Sequence, residues 1–193
     1  KWPAAVIRPL SAALERRFDS VDRAKVRFAD LQLVTLHFDG EMEPRNLDGK
    51  SGFKGKLFYA QAGDVVYSKI DVRNGAIGVV PLAMPTIAVS AEYPVYRVRP
   101  DVALPEYVKL LFRTGAFRRQ INSMISGASG RKRVQPSDLE EIEVPLPPLP
   151  VQRAIIRPWQ EAQAELEAAR RKLTSASERL EAVILGARPV KGV

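Results

Sequence analysis

Apolar residues near the end of the chain recur with alternating spacings of four and three residues. The series that follows Pro150 consists of Ile155, Trp159, Ala162, Leu166, Ala169, Leu173, Ala176, Leu180 and Val183. This is the period of a coiled-coil seam, and it continues for about four heptads. A lone helix cannot bury such a stripe, because it has nothing to pack the stripe against. We therefore predict a long helix over residues 151–186, followed by a tail at 187–193. The seam of this helix is the candidate dimerisation surface.

A proline interrupts this seam near its start. Pro158 lies between Ile155 and Trp159. Proline lacks the amide that would bond to the carbonyl of Ala154, and its ring clashes with the preceding turn. We expect either that Pro158 occupies the first turn of the helix or that the helix kinks between Ile155 and Trp159.

The first part of the chain has a mixed pattern. Leu10, Leu14 and Phe18 have helical spacing, which predicts an amphipathic helix within residues 2–18. Residues 26–38 alternate loosely between apolar and polar and are predicted to be rich in strand. Residues 39–56 are polar and are predicted to form a loop.

The middle of the chain has the composition of strands joined by short turns. Residues 65–72 and 76–80 flank the dipeptide Asn74-Gly75, which favours a hairpin with a type I′ turn. Further strands are predicted at residues 86–90 and 95–99. In the last of these, apolar residues alternate with arginines, so one face is apolar and the other cationic.

The end of the body alternates helix and strand. A helix is predicted to open at Pro105, with a second helix after Gly115. Ser137-Asp138 is expected to cap a short turn. A last strand is expected at residues 142–146, and the prolines that follow form a stiff connector into the tail helix. We therefore predict an α/β body with a mixed sheet over residues 1–150, followed by the long coiled-coil helix.

Composition favours a folded protein with an anionic partner. The chain has 193 residues, 46% of them hydrophobic, and a net charge of +8. This excess of cations favours a polyanion, with nucleic acid first and an anionic membrane second. The chain has no cysteine, which excludes disulfides and thiolate metal sites and fits a reducing cytosol. The longest uncharged stretch, residues 74–91, is broken by glycine and proline, so it is not predicted to span a membrane. Because the chain starts at Lys1, we expect an excised or processed fragment.

Four segments form an ordered set. Residues 63–70 read Gly-Asp-Val-Val-Tyr-Ser-Lys-Ile, and Glu106-Tyr-Val opens the predicted pair of helices. A loop rich in glycine and arginine follows at residues 127–133. Residues 142–155 read Ile-Glu-Val-Pro-Leu-Pro-Pro-Leu-Pro-Val-Gln-Arg-Ala-Ile and lead into the tail helix. Together these segments resemble the DNA-specificity subunits of type I restriction–modification systems.

This resemblance implies a function of positioning rather than chemistry. The body would be a target recognition domain for double-stranded DNA, and the helix would pair with a second, similar helix. The partners implied are DNA-methyltransferase subunits, which hold S-adenosylmethionine, and a restriction or translocase subunit. The chain itself would be non-catalytic, hold no cofactor and act in the cytoplasm. It would be either a half-subunit that pairs with a second copy or a fragment of a longer chain with two halves.

Candidate DNA contacts lie on three segments. In the loop at 127–133, cations beside small residues can approach phosphates or guanine. The predicted hairpin can present polar side chains to a groove of the DNA. The lysines before residue 57 can contact phosphate. Each segment also has a structural explanation, as a solvated loop or as part of a sheet. The candidates are Lys54, Lys56, Lys69, Arg73, Asn74, Ser129, Arg131, Lys132 and Arg133.

Two other classes of function stay open, and a third is weak. The chain could be a coiled-coil scaffold that is basic for other reasons. Gly127-Ala-Ser-Gly130 is similar to the GxxG clamp of RNA-binding KH modules, although Pro136 follows where a helix is needed. An enzyme is least favoured, since His37 is the only histidine and the acidic residues at 138–143 are better explained as helix capping and surface.

Overall fold

The computed structural model describes residues 6–46, 52–124 and 133–186. Of the predicted site residues, Ser129, Arg131 and Lys132 therefore lie outside the described residues, as does the Gly127–Gly130 motif. The chain divides into two compact units, Lys1–Arg153 and Ala154–Val193. Each unit is described by itself.

The described part of the first unit contains short strands and short helices. The strands are β1 (Ile7–Pro9), β2 (Leu14–Arg17), β3 (Val34–Leu36), β4 (Met42–Pro44), β5 (Leu57–Gln61), β6 (Val65–Tyr67), β7 (Ile77–Val79), β8 (Thr86–Ser90), β9 (Val95–Val98) and β10 (Glu143–Pro145). The helices are α1 (Pro105–Arg113), α2 (Gly115–Met124) and α3 (Pro136–Glu140), followed by α4 (Leu149–Ile184), which runs on into the second unit.

A four-stranded antiparallel sheet in the order β2-β9-β6-β7 forms the centre of the first unit. Three two-stranded pairs surround it, namely β1-β10, β3-β4 and β5-β8. A single parallel bridge, Leu33 to Ala88, joins β8 to the segment before β3. The predicted α/β class with a long C-terminal helix is confirmed.

Two buried tyrosines connect this sheet to α3 and the segment before it. Tyr67 on β6 and Tyr96 on β9 are fully buried, with ring centroids 6.4 Å apart. The Tyr67 hydroxyl donates to the carbonyl of Val134 at 3.1 Å, and the Tyr96 hydroxyl donates to Glu140 at 2.8 Å. The hydroxyls therefore keep hydrogen-bond partners while the rings fill the core.

The helix predicted within residues 2–18 is wrong. The segment forms β1, a 3-10 turn at Leu10–Ala12 and β2. Leu10 and Leu14 are buried as the helical spacing suggested, but Phe18 is 65% exposed. Pairing of β1 with β10 and of β2 with β9 overrides the local spacing, because these long-range ladders satisfy the backbone of both segments.

The hairpin around Asn74 exists, but its turn is not type I′. Strands β6 and β7 pair, and between them Val72–Asn74 forms a 3-10 turn that ends at Gly75 with φ of 104°. Asn74 does not adopt the positive φ that type I′ needs. The longer loop is stabilised by the Asp71 amide donating to the Ser68 hydroxyl at 3.1 Å, so β6 ends at Tyr67 and not at residue 72.

Other elements agree with the sequence patterns. Strand β8 covers the predicted residues 86–90, and α1 begins at Pro105. Residues 26–38 contain less strand than predicted, since only β3 forms there, after a 3-10 turn at Phe28–Asp30. The cap of α3 is Gln135, whose amide donates to Asp138 at 2.7 Å, and not Ser137.

Helix α4 begins within the first unit, where a buried glutamine holds its start. Gln152 is fully buried and accepts from the Leu104 amide at 2.9 Å. Its side-chain amide donates to the carbonyls of Val102 and Pro147 at 2.8 and 2.7 Å. Because the buried side-chain amide has all these partners only in this arrangement, the hydrogen bonds fix the position at which the helix begins. None of the helices within the described residues is long and apolar enough to cross a bilayer.

Helix α4 continues through Pro158 in the second unit. Pro158 lies well after the start at Leu149, so the first-turn alternative for this proline is wrong. The large seam residues are exposed, with Trp159 at 51%, Leu173 at 69% and Leu180 at 63%. Most residues around them are exposed as well, which leaves the apolar stripe uncovered in a single chain.

Candidate nucleic-acid interface

Two predicted site residues, Lys69 and Arg133, lie together at the end of β6. The Val134 amide donates to the Lys69 carbonyl at 2.8 Å, and the Lys69 amide donates to the carbonyl of Glu92 at 3.1 Å. The Arg133 Nε lies 3.2 Å from the Glu92 carboxylate. The strand end, the turn after β8 and the segment before α3 therefore converge on one point.

Lys54 and Lys56 lie on the exposed segment that enters β5. With Phe18, Arg23 and Phe58 they line an open concavity of about 700 Å³, which we call the larger concavity. The Arg23 guanidinium donates to the carbonyl of Phe53 at 2.7 Å, which fixes this edge. The larger concavity thus has cations at its rim and aromatic rings in its wall.

A smaller concavity of about 200 Å³ adjoins the larger one. It is lined by Arg16, Lys69 and Tyr93, and it shares Phe18 and Phe58 with the larger concavity. Lys69 therefore lines one of the two concavities that share these rings, and Lys54 and Lys56 line the other.

Sequence reasoning missed Arg16, Phe18 and Arg23. The guanidinium carbon of Arg16 lies 4.8 Å from the centroid of the Phe18 ring and 5.2 Å from that of Tyr96. The run Glu-Arg-Arg-Phe at residues 15–18 is the available signal. The helical spacing of this segment conceals it, because in a helix Phe18 would face the core.

Arg73 and Asn74 are exposed on the 3-10 turn between β6 and β7. The Asn74 side chain donates to Asp71 at 3.5 Å, a long hydrogen bond within the loop. Neither residue lines the larger or the smaller concavity. The structure thus separates these two candidates from Lys69, although they are close to it in sequence.

Arg17 differs from its neighbour Arg16 because two carboxylates of the same chain, those of Asp19 and Asp64, neutralise its charge. Its Nη1 donates to Asp19 at 2.8 Å, and its Nε lies 2.9 Å from the carboxylate of Asp64. Burial raises the pKa of the Asp64 carboxyl, although Arg17 and the hydrogen bond from the Gln61 amide at 2.8 Å act in the opposite direction. Arg17 therefore serves the fold and leaves Arg16 as the available cation at this position.

His37 and two of the acidic residues at 138–143 have structural partners. The Nε2 of His37 lies 3.2 Å from the carboxylate of Glu43 across the β3-β4 hairpin. Glu140 accepts from Tyr96, and Asp138 accepts at the start of α3. Within the three described ranges, no group of three or more His, Cys, Asp or Glu side chains is arranged to hold a metal ion.

Comparison with known proteins gives one consistent family. The model of the type I restriction modification DNA specificity domain matches residues 46–173. The type I restriction enzyme EcoAI specificity subunit of Escherichia coli is 30% identical over 140 residues, which cover 71% of this chain and 24% of that protein.

Solved structures share the fold. The HsdS subunit from Thermoanaerobacter tengcongensis superposes with a TM-score of 0.62 at 19% identity, covering 97% of this chain and 50% of that one. A structure from work on complex assembly and conformational transition of the type I R-M system gives 0.62 at 18% identity, with the same coverage. The chain thus spans about a quarter of the curated relative's length and half of each solved chain.

Proposed function

The chain belongs to the family of type I restriction–modification DNA specificity domains, and on this premise we propose that it recognises a sequence in double-stranded DNA for a restriction–modification complex. The observation that carries the proposal is the extent of the family match, which runs from residue 46 to residue 173. That range includes most of the described strands and most of α4, so the family model matches parts of both the body and the helix.

In this proposal the body provides affinity through cations and specificity through a few side chains. Lys54, Lys56 and Lys69 are exposed or partly exposed around the two concavities, where phosphate can reach them. Arg133 forms an ion pair with Glu92, so its contribution to DNA affinity is smaller unless DNA displaces that carboxylate. Ser129, Arg131, Lys132, Arg73 and Asn74 stay candidates. Each phosphate that the protein neutralises contributes about −0.9 to the dependence of log affinity on log salt concentration.

The helix pairs the module with another helix through its seam. Burial of one leucine is worth about 1.5–3 kcal/mol, so Leu166, Leu173 and Leu180 dominate the association. The mate is a second copy of this chain or the second half of a longer specificity subunit. Such an assembly carries DNA-methyltransferase subunits, which hold S-adenosylmethionine, and recruits a restriction or translocase subunit in the cytoplasm. The chain itself positions these enzymes and does no chemistry.

Reconstitution with a type I DNA-methyltransferase subunit tests the proposal. The complex is incubated with a pool of random-sequence duplex DNA, and the retained duplexes are amplified and sequenced. We expect one sequence to be enriched, and only when this chain is present. Enrichment equal to that of the methyltransferase subunit alone contradicts the proposal, and equal retention of random duplex RNA indicates an RNA-binding module instead.

A further inference from the structure

Building on the proposed function, we propose that Phe18 contacts base edges of the target duplex, while Arg16 and Lys69 in the smaller concavity and Lys54 and Lys56 in the larger concavity bind phosphates. We call these five residues the Phe18 face. The inference rests on one aromatic ring that two cationic concavities share.

The backbone holds Phe18 in place although its side chain is exposed. Phe18 directly follows β2, and the next residue, Asp19, accepts from the Tyr59 amide at 2.7 Å. Ser20 then forms a bridge with Phe58. Single exposed apolar side chains are common, so exposure of 65% alone carries no conclusion. An exposed ring that lines two concavities, on a backbone held by β2 before it and by the contacts of Asp19 and Ser20 after it, is more informative.

Arg16 keeps a positive charge beside this ring. Its guanidinium contacts the faces of both Phe18 and Tyr96, at 4.8 and 5.2 Å from the two centroids. The Nε atom of Arg16 is buried without a hydrogen-bond partner among the described residues. Contacts with both rings hold the guanidinium in place, and its terminal nitrogens are then available to bind an anion.

The cations of the Phe18 face are not neutralised by the fold. Across the parts of the chain that the structure describes, Arg16, Lys54, Lys56 and Lys69 form no ion pair, whereas neighbouring Arg17 forms two. A ring that lines two concavities, each with unpaired cations, complements a ligand in which flat, apolar groups alternate with phosphates. Double-stranded DNA has this chemistry, and in the major groove phenylalanine can contact the methyl group of thymine.

Phe18→Ala in the reconstituted complex tests the inference. The probes are the duplex enriched from the random pool and an unselected random duplex, each measured at two salt concentrations. We expect affinity for the enriched duplex to fall about tenfold, since the variant removes an interaction with a base. Affinity for the random duplex and the salt dependence should stay unchanged, because the variant keeps every cation that binds phosphate.

Phe38→Ala is the matched control. Phe38 is 58% exposed in the turn between β3 and β4, and it lines neither concavity. Its replacement should leave both affinities unchanged. Lys54→Gln combined with Lys56→Gln should instead weaken binding to both duplexes and reduce the salt dependence by about 0.9 for each phosphate that is no longer neutralised.

The outcomes separate this inference from the proposed function. Equal affinities for Phe18→Ala and Phe38→Ala, whether both unchanged or both reduced, overturn the role of Phe18 while the proposed function stands. Absence of any enriched duplex for the parent complex overturns both. If Phe18→Ala lowers the melting temperature, Phe18→Glu is used in its place. A carboxylate at this position would repel phosphate, so we expect the affinity for the enriched duplex to fall. An affinity equal to that of the parent complex overturns the inference.

Discussion

Glycines allow two hairpins of the body to approach closely. A Cβ added at Gly78 would overlap the carbonyl oxygen of Gly40, and one at Gly75 would overlap that of Phe38. Arg113 spans the same junction by donating to the carbonyl of Ile77 at 2.9 Å. Because the backbones touch here, no side chain can be accommodated without moving a hairpin.

Gly78→Ala is expected to lower the free energy of unfolding by about 2 kcal/mol, because the neighbour is backbone and cannot rotate away. Gly115→Ala is the control. A Cβ at Gly115 would meet only the end of the Arg119 side chain, so its effect should stay below about 0.5 kcal/mol. Urea denaturation of both variants measures the difference. Equal stabilities would show that the hairpins separate at little cost.

The buried tyrosines make stability sensitive to alkaline pH. Burial raises the pKa of Tyr67 and Tyr96 above the ordinary value of about 10, and the hydrogen bond to Glu140 raises that of Tyr96 further. Only the unfolded state then ionises above pH of about 10, so stability is lost as pH rises beyond that value. We expect tyrosinate absorbance from these residues to appear together with unfolding.

The variant Tyr96→Phe tests the sign of this effect. It removes a hydroxyl that donates to Glu140 at 2.8 Å, so at neutral pH it should cost about 1 kcal/mol. Above pH of about 10 its free energy of unfolding should fall less steeply than that of the parent, because one fewer group ionises on unfolding. Parallel pH profiles would contradict a raised pKa at Tyr96.

At the residue scale, the sequence predicted the chemistry of the candidate site better than its geometry. Lys54, Lys56 and Lys69 are predicted as cations that contact DNA, and the structure places Lys54 and Lys56 in the larger concavity and Lys69 in the smaller one. Phe18 could not be found in this way, because whether a ring faces core or solvent depends on the pairing of β2 with β9. Such pairing joins residues that are far apart in sequence, and local periodicity does not encode it.

At the element scale, elements with a clear period or a proline at their start are predicted better than the shortest ones. The start of α1 and the bounds of β8 agree with the sequence pattern, and the long helix runs from Leu149 to Ile184 where 151–186 is predicted. The three-residue strands near the N-terminus and the 3-10 turn at Val72–Asn74 are too short for a pattern to repeat twice. Their conformation is set by tertiary hydrogen bonds, so composition alone could not specify them.

The seam of α4 makes a prediction about association. Leu173→Glu is expected to weaken pairing of the helix by at least tenfold, because a charge replaces a leucine that a mate would bury. The body should stay folded, since Leu173 is 69% exposed in the single chain. Sedimentation at several concentrations measures association, and circular dichroism checks folding.

Ser175→Glu is the matched control for this helix. It introduces the same charge two residues away, at an exposed position outside the seam, so the dissociation constant should change little. Equal weakening by both variants would mean that added charge, and not loss of the apolar stripe, disrupts pairing. A parent chain that is monomeric at all concentrations would remove self-pairing altogether.

At the scale of the whole molecule, the symmetry of pairing determines the symmetry of the DNA target. If two copies of this chain pair through α4, they are related by a two-fold axis, as in most homodimers. Identical bodies related by that axis present identical Phe18 faces. The duplex enriched from a random pool should therefore contain an inverted repeat, with two equal half-sites separated by a spacer of constant length.

Sequencing of the enriched duplexes distinguishes the two possible mates. A single half-site enriched by the parent complex would mean that two copies do not pair and that the second helix belongs to a different module, as in a longer subunit of which this chain is one half. The Leu173→Glu complex provides the control, since loss of pairing should leave only a single half-site with lower affinity. An inverted repeat that persists in this variant would show that the methyltransferase subunits, and not the seam, hold the two bodies together.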